Sequence, residues 1–261
     1  MDYLNIPVAL CTYMLKWHIV MQIRLYTYLK TICYGRFKLS EDFINNCCVA
    51  LEYKSKKTFK AHFEYLLQNK WLTFNSKSGS YRIVGLSHIA NRLRFQTSKG
   101  AIFYPEYFKK FKGFVTGTVI TYYMIKRSQE ERRSALKKGS ASKSRPLASY
   151  SLPHSYLAKV LNVPVSTARS YRKNAIDSGF LKAKKTYIET LIPISEIDLF
   201  KKFASVESDK IKIVNKSVCI QQADQIESSI FLRMKRDIHI ITKKYRKKNT
   251  PYIRGSIRGN K

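Results

Sequence analysis

The chain is short of acid. Its 261 residues hold only 17 Asp and Glu, scattered where nucleases and polymerases need clustered carboxylates to hold metal ions. Glu130-Glu131 fall in a polar stretch, and Glu196 with Asp198 suit the cap and solvent face of a helix. The five histidines (His18, His62, His88, His154, His239) form no H-x-H or H-x-x-x-H pair, and none stands three residues before an arginine as in tyrosine recombinases. Cys11, Cys33, Cys47, Cys48 and Cys219 show no C-x-x-C spacing and are odd in number, so they encode neither a zinc site nor a disulfide framework. They read as small buried hydrophobes. The ten glycines include no G-x-x-x-x-G-K loop. Long apolar runs are missing too: the best, Leu10 to Ile23, is broken by Lys16, His18 and Gln22, where a membrane span needs roughly 20 predominantly apolar residues. No secretory signal is apparent. These absences predict a cytoplasmic chain with no membrane partner, no cofactor, no metal, no evident small-molecule substrate and no enzymatic activity.

What the chain has in excess is positive charge. Its 49 Lys and Arg leave a formal charge of +32, far beyond the magnitude solubility requires. Residues 1–100 carry 15 basic and 5 acidic groups, 101–200 carry 18 and 7, and 201–261 carry 16 and 5. Every part is basic, which argues against a neutral enzyme with one basic appendage and for a surface that meets a polyanion, nucleic acid above all. With 44% hydrophobic residues the chain can also build real cores.

An internal repeat organises those cores. Tyr13-Met14-Leu15-Lys16 is answered by Tyr123-Met124-Ile125-Lys126, Phe37-Lys38-Leu39 by Tyr150-Ser151-Leu152, and Thr58 through Trp71-Leu72 by Thr167 through Phe180-Leu181. In the second copy, Leu152, Tyr156, Leu157, Val160 and Leu161 fall on one helical face, Asn162-Val163-Pro164 breaks the helix, and a second helix from about Val165 turns Ala168, Tyr171 and Ala175 inward before stopping at Gly179. Phe180 to Leu191 then alternates around a basic centre, as a β-hairpin does.

The run Leu161-Asn162-Val163-Pro164-Val165-Ser166-Thr167-Ala168-Arg169-Ser170, followed by Gly179-Phe180-Leu181, resembles the winged helix-turn-helix DNA-binding domains of bacterial and phage regulators. The likeness covers about 45 residues. Two positions depart from it. Arg172 stands where that family places a buried Leu, and is expected to add a phosphate contact at some cost in packing. Asn162 replaces a turn Gly and tolerates the left-handed conformation.

In the first copy, Ser40 is placed to cap a helix through Leu51 with Phe43, Cys47 and Leu51 inward, and Ser55 to cap the next, with Phe59, Phe63 and Leu66 inward. Trp71–Phe74 and Tyr81–Val84 alternate around Ser76-Lys77-Ser78-Gly79, the wing. The first helix of this copy is expected to continue through His18 to Cys33, and that of the second to break into a polar insertion over 128–149. Beyond Leu191, Ser195–Phe203 suggests a short amphipathic helix and Asn215-Lys216 a hairpin turn.

The expected architecture is therefore mainly α with small β-hairpin wings. A first winged helix spans 1–90, an aromatic connector 91–112, a second winged helix 113–194, and a basic C-terminal extension 195–261. The resemblance implies duplex DNA as partner, with the second helix of each pair against base edges and wings against phosphates. Candidate contacts are Ser166, Thr167, Arg169, Ser170, Arg172 and Lys173 on the second reading helix, with Lys184 and Lys185 on its wing. The first copy offers Lys56, Lys57, Lys60, Lys77 and Arg82, and the tail offers Lys243, Lys244, Arg246, Lys247 and Lys248. Arg169 is the best base reader by chemistry, since its guanidinium matches both acceptors of guanine. Three functions share this reading: a nucleoid-associated transcriptional regulator of a phage, plasmid or other mobile element; a replication initiator, whose tandem layout is similar; or a nonspecific nucleic-acid binding or packaging protein. A homodimer would use the connector or the long first helix.

Overall fold

The computed structural model describes residues 3–33, 35–137, 149–206, 208–222 and 224–234. Helices make up about 54% of it and the strands form small antiparallel sheets, so the chain is mainly α with small β elements.

The first unit opens with β1 (Leu4–Pro7), α1 (Val8–Lys16) and α2 (Val20–Ile32). The expected single helix is thus two. His18 adopts a left-handed φ of 56°, and the Ile19 N–H closes back on the Met14 carbonyl at 3.0 Å, a helix-ending motif that usually recruits glycine. The break lets Leu10, Met14 and Leu15 on one segment and Ile23, Leu25 and Leu29 on the other all reach the core, while Trp17 stays exposed. Next come β2 (Arg36–Phe37), α3 (Glu41–Ala50), α4 (Lys56–Gln68), β3 (Leu72–Asn75), β4 (Ser80–Ile83) and α5 (Leu86–Arg92). Ser40 Oγ accepts the Phe43 N–H at 3.2 Å and Ser55 Oγ the Thr58 N–H at 3.3 Å, so both serines cap as their positions imply. Phe59, Phe63 and Leu66 are buried. The sheet order is β2-β4-β3, with the hairpin turning at Gly79, φ 58°.

The connector is structured. It contributes β5 (Lys99–Phe103) and a turn of 3-10 helix over Pro105–Phe108. Phe103 meets the rings of Tyr107, Phe108, Phe111 and Phe114 at centroid distances from 4.9 to 6.0 Å, edge to face, a favoured aromatic geometry.

The second unit begins with α6 (Phe111–Lys137), then β6 (Ser149–Ser151), α7 (His154–Leu161) and α8 (Val165–Asp177). Instead of breaking at Ser128, α6 runs on to Lys137. Lys126–Glu130 at 3.8 Å and Arg127–Glu131 at 2.9 Å lie one turn apart and support it. Asn162 takes a φ of 54° between α7 and α8, and Gly179 a φ of 81° after α8.

The stretch after Gly179 corrects a second expectation. Here β7 (Leu181–Lys184) and β8 (Tyr187–Glu189) are not the two arms of a hairpin but successive parts of one extended run. Their partners come from later in the chain, past α9 (Ile197–Phe203) and β9 (Ile211–Val214): β8 pairs with β10 (Ser217–Gln221) and β7 with β11 (Gln225–Ser228). The Gln222 N–H bonds the Thr186 carbonyl at 2.8 Å between the two pairings, joining them into one long ribbon. At its far end β9 and β10 turn at Asn215-Lys216, both with positive φ, as the Asn-containing turn implies. Because β11 is the central strand of the sheet β6-β11-β7, the second unit does not end at 194. Part of the supposed extension is its own sheet.

A further sheet, β1-β5-β12, is completed by β12 (Leu232–Met234) and ties the start of α1 to the approach to α6. Around it α1 packs on α6 and α6 on α8, and the Tyr171 hydroxyl of α8 donates to the Leu15 carbonyl of α1 at 3.2 Å. Gly113 and Gly117 allow the close approach of α6 and α8: a Cβ on the first would overlap Ser178, and on the second would press on Ile230 and Phe180. One continuous core results, built from both units and the connector. The connector and the first helices, expected surfaces for a homodimer, are spent largely on this internal packing.

Candidate nucleic-acid interface

A helix that buries one face must expose another, and in α8 the division is clear. Ala168, Tyr171, Arg172 and Ala175 are buried, while Ser166, Arg169, Ser170 and Lys173, one to two turns apart along the opposite side, are exposed. Thr167 is half-buried beside them. Arg169 and Lys173 have no acidic partner within ion-pair distance among the described residues. The result is a hydroxyl and cation row on the helix that follows the tight turn.

Arg172 does not belong to it. Lying one turn after Ala168, it is only 5% exposed, donates to the Leu152 carbonyl and sits 4.0 Å from the Asp224 carboxylate. Burial, partly offset by Asp224, pulls its pKa below the usual arginine range. It occupies a core slot, so the phosphate contact expected of it is withdrawn.

In the first unit Lys56, Lys57 and Lys60 are exposed near the start of α4. Lys56 is held at 2.9 Å by Glu41, whose carboxyl is pulled low by that bond and charge, leaving Lys57 and Lys60 the freer pair. Lys77 lies in the turn between β3 and β4, where Asn75 Oδ1 accepts its N–H at 3.0 Å. Arg82 on β4 is paired in register with Arg36 on β2, and both are exposed. Like charges opposed on a sheet repel, and an anion between them removes the penalty. A groove holding Arg36, Phe74, Lys77 and Arg82 follows this edge. Sequence reading missed Arg36, because only the β2–β4 register reveals that it faces Arg82.

Lys184 and Lys185 are exposed, but they sit at the β7–β8 junction partway along the ribbon rather than at the tip of a short wing. Lys243, Lys244, Arg246, Lys247 and Lys248 lie outside the described residues. The two histidines of the helix pairs are structural neighbours of this surface. His62 Nδ1 is 3.0 Å from the Tyr53 hydroxyl. Burial, with Arg172 and Arg169 nearby, pushes His154 down to about 4. Among the described residues no group of three His, Cys, Asp or Glu is placed to hold a metal ion, and no helix is long and apolar enough to cross a membrane.

The chain matches no protein family, no curated protein and no solved structure with which it was compared.

Proposed function

We propose that the two units are winged helices and that the protein binds duplex DNA, with α8 as the base-reading helix and α4 as a phosphate-holding one. The observation that carries this reading is the outward row Ser166–Arg169–Ser170–Lys173, exposed and without acidic partners on a chain of net charge +32. Arg169 is the base reader, and Lys57, Lys60, Lys77, Arg36 and Arg82 hold the backbone. Lys184 and Lys185 meet phosphates beside the groove. As a cytoplasmic, nucleoid-associated protein it acts as a transcriptional regulator.

A replication initiator is the second reading. One observation favours it: α1 and α6, the equivalent first helices, pack together inside a single core, so one chain holds two helix pairs in a fixed relation that a regulator with one winged helix reaches by dimerising.

Selection of bound sequences from random duplex DNA tests the proposal. A recovered consensus supports sequence-specific binding, two half-sites about one helical turn apart support use of both units, and equal affinity for unrelated duplexes rejects specificity. A recovered site lying in an origin repeat rather than a promoter favours the initiator.

A further inference from the structure

Exposed apolar side chains are unevenly spread over the molecule. Of the sixteen large ones among the described residues, seven fall between Tyr187 and Ile213, on the far half of the long ribbon. Residues directly opposite on antiparallel strands share a face. The pairings Ile220–Ile188, Ile220–Ile211 and Val218–Ile213 therefore put five aliphatic residues on one face of the sheet β8-β10-β9, while Glu189 and Lys212 flank Cys219 on the other. Ile211 and Val218 are buried, but Ile188 is 56% exposed and Ile213 53%. On α9, Leu199 and Phe203 lie one turn apart on the same side, and both are exposed. The buried residues of this sheet, Ile211, Val218 and Cys219, take no part in the continuous core. At about 150–200 Å² for a large side chain, Ile188, Leu191, Ile194, Leu199, Phe203 and Ile213 leave on the order of 700 Å² in water, close to the roughly 800 Å² each partner gives a stable interface.

Charge decides what covers this surface. Between Tyr187 and Gln221 five acidic residues balance five lysines, in a chain whose net charge is +32. A polyanion finds no surplus to match there. Two copies of so basic a chain repel each other, and a stretch with its signs balanced is where they can meet. We propose that the far half of the ribbon joins two copies of the chain, each presenting the same apolar surface across a two-fold axis. Leu199 and Phe203 lie at its centre and the balanced charges at its rim. The dimer needs no DNA, so it stands or falls apart from the duplex-binding reading.

The test is sedimentation of the full chain over a range of concentrations, after nuclease treatment and in about 0.5 M salt, which screens charge and prevents nucleic acid from bridging copies. The expected result is a mass rising with concentration to twice the 30.5 kDa of one chain. Leu199→Asp combined with Phe203→Asp puts unpaired charge at the centre of the interface, and should weaken the dimer about 100-fold. Val49→Asp, at a residue 79% exposed on α3 of the first unit, should leave it unchanged. All three positions are exposed, and matching circular dichroism shows that the variants remain folded. A chain that stays at the mass of one copy through the micromolar range overturns the dimer, whether its ribbon is bare or covered by something else. A dimer that survives the double substitution, or that loses as much from Val49→Asp, overturns this surface.

Discussion

In the first unit the slot one turn after buried Phe59 holds Phe63, 4% exposed; in the second the slot one turn after buried Ala168 holds Arg172, 5% exposed. The first helix pair closes on apolar contacts supplied by its own neighbours, Phe37 and Tyr81 among them. The second closes on a charge whose carboxylate comes from residue 224, between β10 and β11 on the returning side of the long ribbon. The outward faces differ as well. By the repeat, Ser166, Arg169, Ser170 and Lys173 correspond to Lys57, Lys60, Ala61 and Glu64, so the first unit keeps cations near the helix start and has an alanine and an acid beyond them. The two units thus differ: one closes its helix pair and sheet on its own neighbours, while the other needs a strand from residues 225–228; on the proposed duplex-binding reading the first holds phosphates and the second reads bases.

The largest effect on this contrast is expected from Asp224→Ala. It leaves Arg172 buried without its carboxylate, which typically costs about 3 kcal/mol, whereas replacing both partners, Arg172→Leu together with Asp224→Ala, should fall within about 1 kcal/mol of the parent chain or above it. Urea unfolding measures both, and equal losses from the two would erase the asymmetry. Next is Arg169→Ala, expected to relax preference at one base position by about 1–3 kcal/mol. Lys60→Ala in the first unit should instead weaken all duplexes alike and lower the salt slope by about 1. Base-resolved binding at several salt concentrations would show whether the reading and holding roles are truly split.

A smaller effect concerns the turns that end α4 and α8, where Lys70 (φ 54°) and Gly179 (φ 81°) occupy the same left-handed position. Lys70→Gly should stabilise the fold and Gly179→Ala destabilise it, each by about 1 kcal/mol; a loss from Lys70→Gly or a gain from Gly179→Ala in thermal unfolding would show that the turns are not equivalent. The smallest expected effect is a pH dependence. Because the folded pKa of His154 is depressed from 6.5 to about 4, the unfolded chain binds the extra proton first, and stability should fall as pH drops through that window. The groups facing it are Arg172 and Arg169, which oppose protonation, and Asp224, which favours it. His154→Gln should remove this portion of the acid sensitivity, leaving the losses below it that protonation of Glu41 and Glu52 produces.

Local chemistry made much of this legible. Ser40 and Ser55, Gly179, and the turn at Asn215-Lys216 act where their residue types imply, and the inward rows of α4 and α8 follow from helical spacing. What escaped was of two kinds. Left-handed helix ends at His18, Glu52, Lys70 and Arg94 carry no glycine, so the break between α1 and α2 left no signal in residue type. Strand partnership was the other: β7 alternates with β8 as a hairpin arm does, yet its partner β11 begins at Gln225, and no local pattern reports a pairing across an insertion. For the candidate interface, Arg169 and Lys60 were readable from spacing. Arg172 has the residue type of a surface cation, but its place on the inner face of α8 buries it, and Arg36 faces Arg82 only through the β2–β4 register.

The position of β11 also bears on synthesis. The first unit has all three strands of its sheet once Ile83 has been made, but the second lacks its middle strand until Ser228. A ribosome-bound chain therefore presents β6 and β7 with open edges while most of the polypeptide is already out, a state prone to wrong pairing.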